Sequence, residues 1–160
     1  MNILGNIFGE VCKTLFPIPE NVYFGNSKSS IAICVLSSIH LLKEISNSKL
    51  MKNISLAGRL FSENKGIDSI IRHVNSNSNV KIIIICGKEG WGHKPGSSLI
   101  DLYKNGVDGD GRIINSPSPD PFLTVSKIEV KKFQSRVKII NKIGITNFEE
   151  ISSLVHSIQN

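Results

Sequence analysis

The stretch Val80-Lys81-Ile82-Ile83-Ile84-Ile85-Cys86 runs directly into Gly87-Lys88-Glu89-Gly90-Trp91-Gly92-His93-Lys94-Pro95-Gly96-Ser97-Ser98. The first seven residues are β-branched and apolar at almost every position, so both faces of an extended chain would be greasy. That is the pattern of a central strand covered by helices on both sides, as parallel sheets require. The next ten residues hold four glycines, then Ser97 and Ser98 open a helical pattern. A strand, a glycine-rich turn and a helix start in that order predict an α/β sheet whose ligands gather beyond the carboxyl ends of its strands.

The same alternation extends outward. Further strands are predicted at Ile31 to Val35, Ile54 to Ala57, Arg112 to Asn115 and Val137 to Ile140, with helices at Ser38 to Ser46, Gly66 to Ser76, Ser97 to Lys104 and Lys127 to Ser135. The last helix carries an apolar stripe of Phe148, Ile151, Leu154 and Val155, and Thr146 with Glu149 has the spacing of a capping box at its start. Residues 1–16 read as a packing helix and residues 17–158 as an α/β core, together one domain over 1–160. Phe16 to Ser30 and Ser116 to Phe122 are rich in proline, which removes amide donors, so both read as irregular connections. The expected fold is a mainly parallel sheet of five or six strands with helices on both faces.

Composition narrows the function. At 160 residues, 40% hydrophobic and 20% charged, the chain has the makeup of a folded globular protein. Nineteen Lys and Arg against thirteen Asp and Glu give a net charge of +6, but the cations are scattered and no aromatic and basic signature for nucleic acid is present. The N-terminus lacks an early positive charge and contains Glu10, unlike a signal peptide. The longest apolar run, Ile82 to Cys86, falls far short of the roughly 20 residues of a membrane span. Cys12, Cys34 and Cys86 are odd in number and far apart, which speaks against disulfides and zinc and for a cytoplasmic chain.

The glycine-rich loop fits neither common nucleotide motif. Gly87, Gly90, Gly92 and Gly96 miss the dinucleotide spacing, and no Gly-Lys is followed by Ser or Thr. Asp108-Gly109-Asp110-Gly111 fails as a calcium loop, because its glycine comes early and Pro119 stands where a glutamate is needed. His93 is the one histidine in a loop after a central strand; His40, His73 and His156 fall on predicted helices. Taken alone His93 reads as a surface residue, Trp91 as a stacking surface or a lid, and Cys86 as a buried structural thiol. The loop itself can admit a bulky ligand, and the amides at the helix start can meet an anion.

From Phe16 to Ile151 the order of segments resembles the cytosolic domain found in the family of A subunits of tetrahydromethanopterin S-methyltransferase. The stretches that carry the resemblance are Glu63-Asn64-Lys65-Gly66-Ile67, Ile85-Cys86-Gly87-Lys88-Glu89, Gly92-His93 with Gly96-Ser97, and Asn105-Gly106-Val107-Asp108 leading to Gly111-Arg112-Ile113-Ile114. The resemblance implies a Rossmann-like sheet that binds cobalamin or a related corrinoid. It places the lower axial ligand to cobalt on His93, with Gly87, Gly92, Gly96, Ser97, Glu63 and Asn64 as further cofactor-binding residues. A neutral imidazole is a good nitrogen ligand, and Gly92 and Gly96 would floor the flat ring. The bond from His93 is expected to form and break as methyl groups are passed. The family's cysteine before the Glu-Asn motif is replaced by Arg59-Leu60-Phe61-Ser62, so no cofactor contact is carried to those positions.

What the resemblance implies is a corrinoid methyl carrier, the cobalt component of a methyltransferase with no catalytic side chain of its own. Partner methyltransferases would load it from a methylated pterin and unload it to a thiol acceptor. Membrane-bound members of the family carry a C-terminal anchor, whereas this sequence stops at Asn160, so a stand-alone carrier without membrane insertion is expected. Two other readings stay open: a corrinoid storage or delivery module without methyl chemistry, and a basic domain for nucleic acid.

Overall fold

The computed structural model describes residues 21–160. They form a five-stranded sheet of β1 (Val22–Phe24), β2 (Ile31–Val35), β3 (Leu56–Arg59), β4 (Ile82–Gly87) and β5 (Lys138–Ile143), in the order β1-β3-β2-β4-β5. Strands β3, β2, β4 and β5 are parallel, and β1 closes one edge antiparallel to β3. The helices are α1 (Ile39–Ser46), α2 (Lys65–Ser76), α3 (Pro95–Asn105), α4 (Lys127–Arg136) and α5 (Phe148–Gln159), with a short 3₁₀ helix at Lys49–Lys52. The order reverses at β2: β3 follows it on one side and β4 on the other, which makes the carboxyl ends of β2 and β4 the switch point where such sheets bind ligands.

Side-chain alternation explains why both faces must be covered. On one face Ala32, Cys34, Ile83 and Ile85 pack with Ile67 and Ile71 of α2, Leu99 and Leu102 of α3, and Val130 and Phe133 of α4. On the other, Ile31, Ile33, Val35, Ile84 and Cys86 pack with Leu41, Leu42 and Ile45 of α1 and Ile151 and Val155 of α5. Adjacent residues of one strand thus serve separate cores, as the period of two dictates.

Three expectations are corrected. Arg112 to Asn115 is no strand: it makes only the isolated bridges Val107↔Ile113 and Arg112↔Phe122, and Asn115 turns left-handed at φ 64°. It belongs to an excursion between α3 and α4 on the way from β4 to β5. Within the supposedly irregular span before Ser30, Val22–Phe24 pairs as β1; three residues are too few to show periodicity. The last helix is capped by Asn147, whose side chain accepts from the Glu150 amide at 2.9 Å, so the cap falls one residue after Thr146. The helix expected over residues 1–16 lies outside the described residues.

Candidate functional site

Because β3 and β4 run parallel, the loops that leave them emerge at the same end of the sheet. They meet through two side chains. Nδ1 of His93 lies 3.2 Å from each carboxylate oxygen of Glu63. The imidazole is 62% exposed while the Glu63 side chain is 3% exposed. A carboxylate accepts, so Nδ1 is the nitrogen that donates, and in the neutral ring the free lone pair is left on Nε2. An exposed imidazole oriented through its other nitrogen by a buried carboxylate is the arrangement that metal-binding histidines use.

Several bonds hold the loop around His93. Gly87 ends β4 at φ +83°, a left-handed turn where a Cβ would sit 3.1 Å from the Ser38 hydroxyl, so glycine is required. The turn is tied to the end of β2: the Ser37 hydroxyl donates to the Lys88 carbonyl at 2.8 Å, and the Lys88 amide donates to Ser38 Oγ at 2.9 Å. Glu89 then folds over the start of α3, its carboxylate accepting from the Gly96 amide at 2.9 Å and from the Ser97 amide and hydroxyl at 2.8 Å each. The amides expected to be free for an anion are therefore already satisfied by a side chain, which also places negative charge at the positive end of the helix. Lys94, next to His93, is left-handed at φ 45°.

The segment Ser116 to Phe122, expected to be a passive connection, lies behind the site. Its Asp120 amide donates to Glu63 Oε1 at 3.2 Å, and Asn64 Nδ2 donates to the Asp120 carboxylate at 3.0 Å. Its Ser118 hydroxyl donates to the His93 carbonyl.

Of the residues singled out from sequence, His93, Glu63 and Asn64 come together across the two loops. Gly92 sits open beside His93, with nothing within 4 Å of where a Cβ would be. Gly87 and Gly96 are buried beneath them, Gly96 because a Cβ there would come within 2.8 Å of Leu36 Cδ1. Ser97 faces Glu89. Glu89, Ser118 and Asp120 escaped sequence reasoning; the alternation Pro117-Ser118-Pro119-Asp120-Pro121, which holds polar side chains at set directions, was the one visible signal for Ser118 and Asp120. Trp91 is 99% exposed beside the loop's histidine. Cys34 and Cys86 are free and buried; burial pushes the Cys86 thiol up to about 12 and raises that of Cys34 further, so neither supplies a ready thiolate. Among the described residues no group of three His, Cys, Asp or Glu side chains forms a metal cluster.

The fold and site define a doubly wound α/β domain that presents one carboxylate-oriented imidazole beyond the carboxyl ends of its strands. Residues 12–160 match the model of the family described as the A subunit of tetrahydromethanopterin S-methyltransferase, and the chain belongs to that family. It is 41% identical over 143 residues to the A subunit of the putative methyltransferase Mtx of Methanosarcina barkeri, covering 88% of this chain and 68% of the relative. It is also 34% identical over 133 residues to the tetrahydromethanopterin S-methyltransferase A subunit of Methanosphaera stadtmanae, covering 82% and 51%. With the corresponding subunit of Methanocaldococcus jannaschii the identity is 31% over 146 residues, covering 90% and 58%. The chain thus spans about two-thirds of the Mtx relative and between half and three-fifths of the other two. Among the described residues no helix is long and apolar enough to cross a membrane.

Proposed function

We propose that this protein is a corrinoid-binding methyl carrier and that His93 is its ligand to the cobalt. The observation that carries the reading is the contact between His93 Nδ1 and the buried Glu63 carboxylate, which leaves the imidazole exposed and Nε2 as its free donor. The residues present fit the group: one neutral nitrogen donor, with Gly92 open beside it for the approach of a broad, flat ring. A bound corrinoid would supply a cobalt able to accept a methyl group and give it up.

The chain's own part is binding and orientation. Glu63 holds the ring so that Nε2 faces outward, and the Asp120 amide in turn holds Glu63. Gly87 and Gly96 let the loop pack closely on Ser38 and Leu36, and Glu89, bound by Ser97, fixes the loop to the helix start. Asn64 ties the Glu63 loop to Asp120. No described side chain is assigned a catalytic role, so partner methyltransferases would bring the donor, a methylated pterin, and the acceptor, a thiol.

The test is spectroscopic. Purified chain mixed with hydroxocobalamin should give a histidine-coordinated visible spectrum, and His93→Ala should abolish that signature while weaker corrinoid binding persists. An unchanged nitrogen coordination in His93→Ala would overturn the assignment, and no binding by the wild-type chain would overturn the function.

A further inference from the structure

Behind His93 lies a group of serine hydroxyls whose hydrogens can be assigned one direction only. Ser98 is 0% exposed, Ser116 7% and Ser118 4%. The Ser118 hydroxyl reaches the His93 carbonyl and lies 3.3 Å from that of Lys94. A hydroxyl has a single hydrogen and a carbonyl can only accept, so the hydrogen of Ser118 goes to the backbone at His93. Ser118 Oγ, also bonded to Ser98 Oγ, must then accept from it. With its hydrogen so used, Ser98 accepts from Ser116 at 2.7 Å, and Ser116 accepts from the Ser118 amide at 3.2 Å. The result is a directed chain, Ser118 amide to Ser116 to Ser98 to Ser118 hydroxyl to the His93 carbonyl, in which each bond polarises the next.

We infer that this serine chain is a positioning device for His93, and that Ser118 is the positioning residue that joins it to the ligand loop. Two further observations agree. Lys94 is a non-glycine residue at φ 45°, a conformation that persists only where the surroundings over-determine it, and the hydroxyl of Ser118 sits against the carbonyls on both sides of that turn. The same proline-bracketed segment supplies the Asp120 amide that holds Glu63. The backbone at His93 and the carboxylate of Glu63 are therefore both referenced to one short segment, and neither can shift relative to the other without breaking bonds to it. The role in cobalt binding rests on the proposed function; the role in fixing the loop does not.

The experiment uses the full chain with Ser118→Ala, Ser118→Thr and Ser98→Ala, each checked for folding by thermal melting. In the ligand-free protein, backbone ¹⁵N relaxation reports motion at His93 and Lys94. In protein loaded with cob(II)alamin, the nitrogen splitting in the paramagnetic resonance spectrum, compared between ¹⁴N- and ¹⁵N-histidine samples, reports coordination. Ser118→Ala should mobilise both residues and shift the equilibrium away from histidine coordination by about fivefold, the usual worth of one net hydrogen bond. Ser118→Thr, which keeps the hydroxyl, should restore most of it. A folded Ser118→Ala with wild-type relaxation and wild-type splitting overturns the inference. If Ser118→Ala does not fold, Ser98→Ala decides: it strips Ser118 of its donor and should move both readouts in the same direction, and no movement overturns the inference. If the loaded wild-type chain shows no histidine splitting, the assignment of His93 as the cobalt ligand fails while the relaxation data still judge the serine chain.

Discussion

At the residue scale, the site works by giving one exposed side chain a buried partner. Glu63 is 2% exposed and receives both His93 Nδ1 and the Asp120 amide, so removing its carboxylate should affect His93 more than any change to the loop's exposed residues. Glu63→Ala should weaken histidine coordination of cobalamin by roughly 10–100-fold, the usual cost of losing a ligand's carboxylate partner, and Glu63→Gln should retain part of it because its amide oxygen still accepts. Titration of the corrinoid spectrum with each variant checks this; equal losses in both would show that charge, not orientation, is what matters. The buried thiols give a second expectation. A thiol raised on folding stabilises the native state while it stays neutral, so the contribution of Cys86 is intact below its ordinary 9.0 and is lost as pH climbs from there toward about 12. Urea unfolding should show stability falling over that alkaline window, less so in a Cys34→Ala/Cys86→Ala chain. His93 was singled out in the sequence by its place in a glycine-rich loop after a central strand together with the Gly92-His93 match to the family; without that match it reads as a surface residue. Glu89 was not, since it caps α3 from the preceding loop while Lys94 occupies the N-cap with no side-chain bond. Capping rules read the residue at the helix boundary and are blind to a carboxylate folded back from outside it.

At the scale of elements, the long periodic segments were legible and the short or irregular ones were not. Helix α4 begins with Ser126 and Glu129 in a reciprocal capping box, and the bonds from Ser126 hold the exposed Glu129 carboxyl below its ordinary value. The excursion before it has no such local signature. Its position is set by Asp68 of α2, 2% exposed, which accepts from the Thr124 amide at 3.0 Å, the Thr124 hydroxyl at 2.7 Å and the Val125 amide at 3.2 Å. Bonds between residues more than fifty positions apart leave no periodic trace, so the segment's docking could not be read from spacing. They do make a sharp prediction. Asp68→Ala leaves the buried Val125 amide without an acceptor and removes the partner of the part-buried Thr124 amide; a buried unsatisfied group costs about 1–3 kcal/mol. Thermal or urea unfolding of Asp68→Ala should show a loss at least that large, and because Asp120 rides on the same excursion, His93 coordination should weaken as well. A stability loss with wild-type coordination would mean that the Ser116 to Phe122 segment is held on the site by its own bonds alone.

For the molecule as a whole, the run Ile83-Ile84-Ile85 decides how the two halves of the core are coupled. Ile83 and Ile85 face the core built with α2, α3 and α4, while Ile84 faces the one built with α1 and α5. Ile84 and Ile85 are both 0% exposed, and truncating a fully buried isoleucine costs roughly 2–5 kcal/mol through lost transfer energy and the cavity left behind. Because the two side chains are neighbours on one strand, loosening either core loosens the strand on which the other core rests. Ile84→Ala and Ile85→Ala should therefore each lower the midpoint of a single unfolding transition, with all five strands lost together, instead of melting one face and sparing the other. The probe has to be chosen with care. Trp91 is the chain's sole tryptophan and is 99% exposed in the folded state, so its emission should change little on unfolding. Far-ultraviolet circular dichroism should report the transition instead. Amide hydrogen exchange can then resolve the faces: in either variant the amides of Ile33, Ile84 and Ile85 should lose protection together. A variant in which the α1 and α5 face exchanges freely while the opposite face keeps its protection would show two cores that fold separately on one sheet.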